Sequence, residues 1–346
     1  MKKHLIAAAV AGALAVPAMA QVTVSGYLEA GYESVDHKTA ASEKDQFTGA
    51  GMFGSPRLVF SGSEDLGGGL KAGFRLESTI NLVAGQMGSA TLGAQGTTGP
   101  LFDRGAEVNI SGGFGTIAIG KLDHFGIENN DLNTVGNIAL FNGTALEAGG
   151  VASDVNGSFR YTTPTFSGIR VHIGYTPRDG SNANTAASSK AHGGITSYQA
   201  EGTLAGFRFR AGGGTVKDAQ IGSTASAATG DTDVMGLAVA YDLGMADISV
   251  GYQKQDNPGA SADVDQTVVS VKVPLGGGLD VRANYSMTDQ DGASALDSDL
   301  YTIAVVKALS KRTNLFGYYQ NTSFDQAATA ATSDTSRVGV RVSHSF

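Results

Sequence analysis

Along most of this chain apolar and polar residues change places at every step. Leu70, Ala72, Phe74 and Leu76 alternate with Lys71, Gly73, Arg75 and Glu77. Ile169, Val171, Ile173 and Tyr175 are set against Arg170, His172 and Gly174, and Leu279, Val281, Ala283 and Tyr285 against Asp280, Arg282 and Asn284. Phe207 and Phe209 oppose Arg208 and Arg210. In the closing run Val338, Val340, Val342 and Phe346 oppose Arg337, Gly339, Arg341, Ser343 and Ser345, with His344 the one polar residue on the oily side. Successive side chains of a strand point to opposite faces, so each segment predicts a strand with one apolar and one polar face. Taken singly, such a strand also suits the solvent side of a soluble sheet.

The connections between these segments alternate in length. Tight turns, all but the last containing Gly or Pro, fall at residues 64–69, 111–115, 163–168, 204–206, 242–245, 274–278 and 309–313. These residue types supply the φ values that sharp reversals need. Between them lie longer stretches rich in Ser, Ala, Asn, Asp and Gly, including residues 178–194, 217–231 and 324–336. Seven short turns alternating with eight long loops predict about sixteen strands, with both termini on the short-turn side. A repeat of roughly twenty residues per strand and connection leaves room for spans of ~9–11 residues. The whole set, without helices, points to an all-β fold: a closed transmembrane antiparallel β-barrel of about sixteen strands with a wet lumen. Tyr32, Tyr161, Tyr175, Tyr241, Tyr252, Tyr301 and Phe346 fall near predicted strand ends, where aromatic girdles belong.

One connection departs from the pattern. The third long loop, residues 122–155, keeps Phe125, Ile127, Leu132, Val135, Ile138, Leu140 and Phe141, which a purely solvated loop would lack. A long loop with its own hydrophobics usually has a docking site. The predicted site is the barrel lumen.

Composition narrows the class. Glycine is abundant at 49 and proline scarce at 7, without a collagen period. Past the first residues, nothing approaches the ~18 consecutive apolar residues of a spanning helix. Residues 1–20 have the form of a secretory signal peptide: Lys2 and Lys3, an apolar run from Leu5 to Val16, then Pro17-Ala-Met-Ala20. The expected mature domain is 21–346, and losing the two lysines takes the net charge from −8 to −10. Cysteine is absent, which leaves no lipobox and no disulfide framework. An acidic chain of this kind argues against nucleic acid as a partner.

Motifs that would carry catalysis or cofactor binding do not survive inspection. Gly49-Ala-Gly-Met-Phe-Gly54 matches a dinucleotide fingerprint by letter, but a strand rather than a helix follows it. The six histidines are scattered without metal spacing, and the acids of residues 288–292 fall short of a calcium loop. No cofactor, metal or enzymatic activity is expected.

The chain resembles the general trimeric porins of Gram-negative bacteria, particularly the betaproteobacterial type. The resemblance is carried by residues 22–30, 55–72, 102–115, 161–168 and 309–313, and by the terminal Phe346. The run Glu64-Asp-Leu-Gly-Gly-Gly-Leu-Lys-Ala72 is its most specific piece. It implies an outer-membrane location, passive passage of small hydrophilic solutes and ions, and a homotrimer embedded in lipid and lipopolysaccharide. It further implies that the last strand and Phe346 form the tag read by the barrel-assembly machinery. In such porins a basic cluster on the wall faces carboxylates of the inserted third loop. By position Arg57 and Arg104 match two wall arginines and Glu77 a wall carboxylate. The third arginine is missing, with Asp154 near its place, and Arg160 on the neighbouring strand is the candidate substitute. The loop acids are Asp123, Glu128, Asp131 and Glu147. Opposed fixed charges across such an eyelet orient dipolar solutes and tune ion preference.

Other outer-membrane barrels are hydrolases, adhesins, structural proteins or substrate-specific channels. No acid–base–nucleophile cluster supports the first, and the loops lack the aromatics and arginines that anchor protein partners. The acidic outside loops, including Asp231, Asp233, Asp256, Asp289, Asp291, Asp297 and Asp299, would draw cations to the mouth, against the arginines at the eyelet. The expectation is weak charge selectivity.

Overall fold

Every alternating segment pairs with its neighbours in one antiparallel sheet that returns to its first strand. The computed structural model describes residues 21–38, 44–49, 51–88, 100–123, 155–177, 194–221, 228–257, 263–291, 297–325 and 334–346. The expected signal peptide, residues 1–20, and nearly all of the third long loop, residues 124–154, lie outside the described residues.

The strands are β1 (Gln21–His37), β2 (Lys44–Thr48), β3 (Arg57–Gly67), β4 (Leu70–Asn81), β5 (Gln86–Met87) and β6 (Gly105–Gly112). They continue with β7 (Gly115–Leu122), β8 (Val155–Thr162), β9 (Ile169–Thr176), β10 (Gly194–Leu204), β11 (Phe207–Ile221) and β12 (Ala228–Asp242). The last are β13 (Asp247–Asp256), β14 (Asp263–Gly276), β15 (Leu279–Asp291), β16 (Ser298–Ala308), β17 (Thr313–Phe324) and β18 (Thr335–Ser345). Short β2 pairs with β1 and two-residue β5 with β4 beyond the main ladder. The other sixteen form the ring, closed where β1 takes β18 on one side and β3 on the other. Seven short turns and eight longer connections join them, as the sequence predicts.

Closure depends on one glycine. Gly26 and Phe346 exchange two backbone hydrogen bonds of 3.1 Å each. A Cβ on Gly26 would stand 2.5 Å from the Phe346 ring. At the β3–β4 turn Gly67, Gly68 and Gly69 all take positive φ (82°, 61° and 82°), a run that side chains with a Cβ resist. Register then sorts the faces. Val338, Val340 and Val342 of β18 point outward and exposed, while Arg341 and Ser343 point inward and are buried. The same parity holds on β16, with Tyr301, Ile303 and Val305 outside and Leu300, Thr302, Ala304 and Val306 inside. Covering a Val, Ile or Phe side chain is worth about 1.5–3 kcal/mol, so this belt calls for lipid or protein against it. Tyr252, Tyr285, Tyr301 and Tyr319 band the upper part of the wall outside; Phe207 and Tyr241, 4.5 Å apart, lie at the short-turn end.

Two expectations are corrected. Residues 217–231, read as a long loop, are largely strand: β11 reaches Ile221 and β12 begins at Ala228. Their pairs Ala219↔Gly230 and Gln220↔Thr229 lie beyond a register shift after Val216. Small and polar residues masked a ladder whose hydrogen bonds are made by backbone alone. Ring strands also run past the expected span, to 17 residues in β1.

Candidate functional site

The inward faces of β3, β4 and β6 bring three arginines to one carboxylate. Val59 of β3 pairs with Glu77 of β4, which pairs with Gly105 of β6. Arg57 and Arg104 therefore approach Glu77 from either side, and Arg75 from below on the same face. Arg104 Nε donates to Glu77 Oε1 at 2.9 Å, Arg57 Nε lies 3.5 Å from that oxygen, and Arg75 Nη2 engages Oε2. Arg57 also donates to Ser55 O at 3.1 Å, and the Arg104 N–H to Glu77 O at 3.3 Å. Glu77 is 5% exposed in its side chain, whereas the arginines keep 31–44%. Three guanidinium groups thus gather on one carboxylate and keep part of their surface toward the lumen. The structure thereby brings Arg57, Arg104 and Glu77 together, with Arg75 beside them.

Arg160 joins a neighbouring set rather than this one. Its Nη2 donates to Glu107 Oε2 at 3.3 Å, and its Nη1 to the Asp123 carbonyl at 3.0 Å. Arg75 and Glu107 are register partners, so this pair continues the wall cluster toward β8. Asp123 thus meets Arg160 through its backbone, at the start of the third loop. Glu128, Asp131, Glu147 and Asp154 lie outside the described residues.

Sequence reasoning missed two further sets. On β9, β10 and β11, Glu201 accepts from Arg170 Nε at 2.5 Å, Arg210 Nε at 2.8 Å and Gln199 Nε2 at 3.3 Å. His172 Nε2 lies 3.1 Å away and its Nδ1 2.9 Å from Thr162 Oγ1. Alternation put Arg170, His172 and Arg210 on the polar faces of their strands, but Glu201 was not singled out. Only the register Arg170↔Glu201↔Arg210 makes them a group.

The second set explains the false dinucleotide fingerprint. Residues 51–56 fold into the barrel, and the N–H groups of Met52, Phe53 and Gly54 donate to the Glu29 carboxylate at 2.7–3.2 Å. Glu29 is fully buried and also meets Arg341 Nη1 at 3.2 Å and the Tyr27 hydroxyl at 2.7 Å. Arg341 Nη2 reaches Glu33 at 2.8 Å, and Tyr318 donates to Glu33 at 2.6 Å. Phe53 stacks on Phe316 with centroids 4.1 Å apart, over an inward apolar patch of β16 and β17. A Cβ on Gly51 would strike Gly54 O at 1.6 Å, and one on Gly54 the Tyr27 ring at 2.6 Å. Glycine spacing that cradles an anion is present, but the anion is the chain's own glutamate.

Among the described residues no group of His, Asp or Glu has the arrangement to hold a metal ion. The profile of the Gram-negative porin family matches residues 7–327. Outer membrane porin protein 32 of Delftia acidovorans is 31% identical over 332 residues, covering 92% of this chain and 88% of that protein. In fold, the chain is similar to an anion-selective porin from Comamonas acidovorans, with TM-score 0.72, 22% identity and coverage of 94% of this chain and all of that one. A trimer form of OmpT, an outer membrane protein of Vibrio cholerae, superposes with TM-score 0.66 at 15% identity, covering 94% and 99%.

Proposed function

The chain belongs to the Gram-negative porin family, and we propose that the Arg57–Arg75–Arg104–Glu77 cluster is the constriction that sets its ion preference. It is an outer-membrane porin, a channel for passive diffusion of small hydrophilic solutes and ions. The observation that carries the channel is the closed ring of sixteen strands with an apolar outer and charged inner face. Purified protein reconstituted in planar bilayers gives stepwise conductance; flat traces at high protein concentration refute the channel.

The constriction assignment is supported by the partial exposure of all three arginines toward the lumen and by their gathering on one buried carboxylate. Fixed charges beside a narrow aqueous path act on ions without tight binding, which conduction requires. Acids of the third loop, Asp123, Glu128 and Asp131, would face this wall and offset it. Selectivity is therefore weak, with the wall leaning toward anions.

A homotrimer is the proposed assembly, supported by the trimer form of the structural relative and by an outer apolar belt that lipid alone need not cover. Lipopolysaccharide is the proposed neighbour of the upper outside rim, beside the exposed band of Tyr252, Tyr285, Tyr301 and Tyr319. Recognition of Phe346 by the assembly machinery is supported by its place at the seam, where its backbone joins Gly26.

A further inference from the structure

Below the constriction cluster, at the short-turn end of the lumen, two adjoining cavities open on the inner wall. One, of about 270 Å³, is lined by Arg170, Arg208, Arg210, Glu201, Thr165 and Thr203 among others. The next, of about 400 Å³, has Lys71 with Ser111, Thr116, Thr162 and Thr163 on its walls. Arg170 and Thr165 line both.

We propose that this pair of cavities is a weak oxyanion site at the periplasmic exit of the channel, a way-station for solutes bearing phosphate or carboxylate groups. The charge count comes first. Among the described residues Glu201 is the one carboxylate on either lining, and it already accepts from Arg170, Arg210 and Gln199. Arg208 is taken by Asp247, with contacts of 2.6 and 2.8 Å. Among the described residues, setting Glu201, Asp247 and Asp65, the strand partner of Lys71, against Lys71, Arg170, Arg208 and Arg210 still leaves one positive charge. The remaining polar lining is hydroxyl. Thr163 accepts from the Val171 N–H at 2.9 Å, which leaves its own proton to donate. A lining of guanidinium, ammonium and hydroxyl donors fits an anionic oxygen-rich group better than a cation or an apolar solute.

Arg170 is the pivotal residue. It is half exposed, with 51% of its side chain open, while Arg210 beneath it is buried. Glu201 fixes the Arg170 Nε edge, so the guanidinium is pre-oriented toward both cavities. Preorganisation of that kind lowers the cost of catching a passing anion, while the open, wet surroundings keep release fast.

This inference rests on the channel reading, and one set of recordings separates the two. Single-channel current is measured in potassium chloride while inorganic phosphate is added to one chamber at a time. The expected result is a saturable reduction of current, stronger from the short-turn side, and weakened roughly fivefold or more by Arg170→Gln. Lys71→Gln, outside the Glu201 set, weakens it as well and stands in if Arg170→Gln fails to fold. Arg57→Ala leaves the block in place. Wild-type channels that conduct without any phosphate block overturn the site but keep the channel. A block abolished by Arg57→Ala yet untouched by Arg170→Gln and Lys71→Gln assigns phosphate to the constriction and also overturns the site. Absence of conductance refutes the channel reading and the way-station with it.

Discussion

Replacing Arg57 or Arg104 by alanine removes one of the three positive charges gathered around Glu77. An ion passing at about 7 Å from one such charge in water gains or loses roughly 0.6 kcal/mol, which screening at physiological salt cuts to about 0.25. The charge acts on anion and cation with opposite sign, so the permeability ratio changes by about 0.5 kcal/mol, or roughly twofold. Low-dielectric walls that halve the effective permittivity raise this to about fivefold. Across a tenfold salt gradient, such changes move the zero-current potential by about 15–30 mV toward cation preference. The assay is the reversal potential of wild type, Arg57→Ala and Arg104→Ala under one gradient. Ser55→Ala, which leaves the Arg57 contact to the residue 55 carbonyl, serves as the neutral control. A shift below a few millivolts in both arginine variants would refute the assignment, because no path past these residues could then be narrow.

Glu29→Ala leaves the N–H groups of Met52, Phe53 and Gly54 and one face of Arg341 without their carboxylate. Stripping one partner from a buried ion pair costs about 3–5 kcal/mol, and the variant barrel should unfold at clearly lower temperature in heat-shift gels. Phe53→Ala deletes the ring stacked on Phe316 and should cost about 3 kcal/mol by the same measure; an unchanged midpoint for both variants would mean that residues 51–56 do not dock. Native protein extracted in mild detergent should run at three times the subunit mass by light scattering, and a monomeric mass would count against the trimer.

How far the sequence could be read follows from what each feature depends on. Alternation and turn residues are local, so the ring of sixteen strands, the seven short turns and the direction of each side chain were visible in the letters. Groups that form only across strands were not. Glu201 stands 31 residues from Arg170 and 9 from Arg210, and the three meet because β9, β10 and β11 fall into one register. The Glu29 set needs both β18 and residues 51–56 beside β1, which no local pattern encodes. Arg57, Arg104 and Glu77 were found because a family motif carries them. Arg75, which the same alternation puts on the polar face and which no family motif carries, is placed on Glu77 by register.

Register also changes the weight of the acidic residues in any account of selectivity. Counted along the chain, Asp231, Asp233, Asp256, Asp289, Asp291 and Asp299 look like loop charges around the mouth. In the barrel they are strand residues of β12, β13, β15 and β16, and they share the outward parity of Met235, Tyr252, Met287 and Tyr301. Tyr285 donates to Asp299 at 2.8 Å and Tyr252 to Asp265 at 2.6 Å, both on the outside of the wall. A charge there lies across the sheet from the lumen and is screened by solvent ions over about 8 Å. The arginines at Glu77 and at Glu201 lie on the other side, directly against the solute. A chain with negative net charge can thus present a positive path, because a barrel wall separates its charges by parity. The sign of selectivity follows from which face a residue takes, and total charge says little about it.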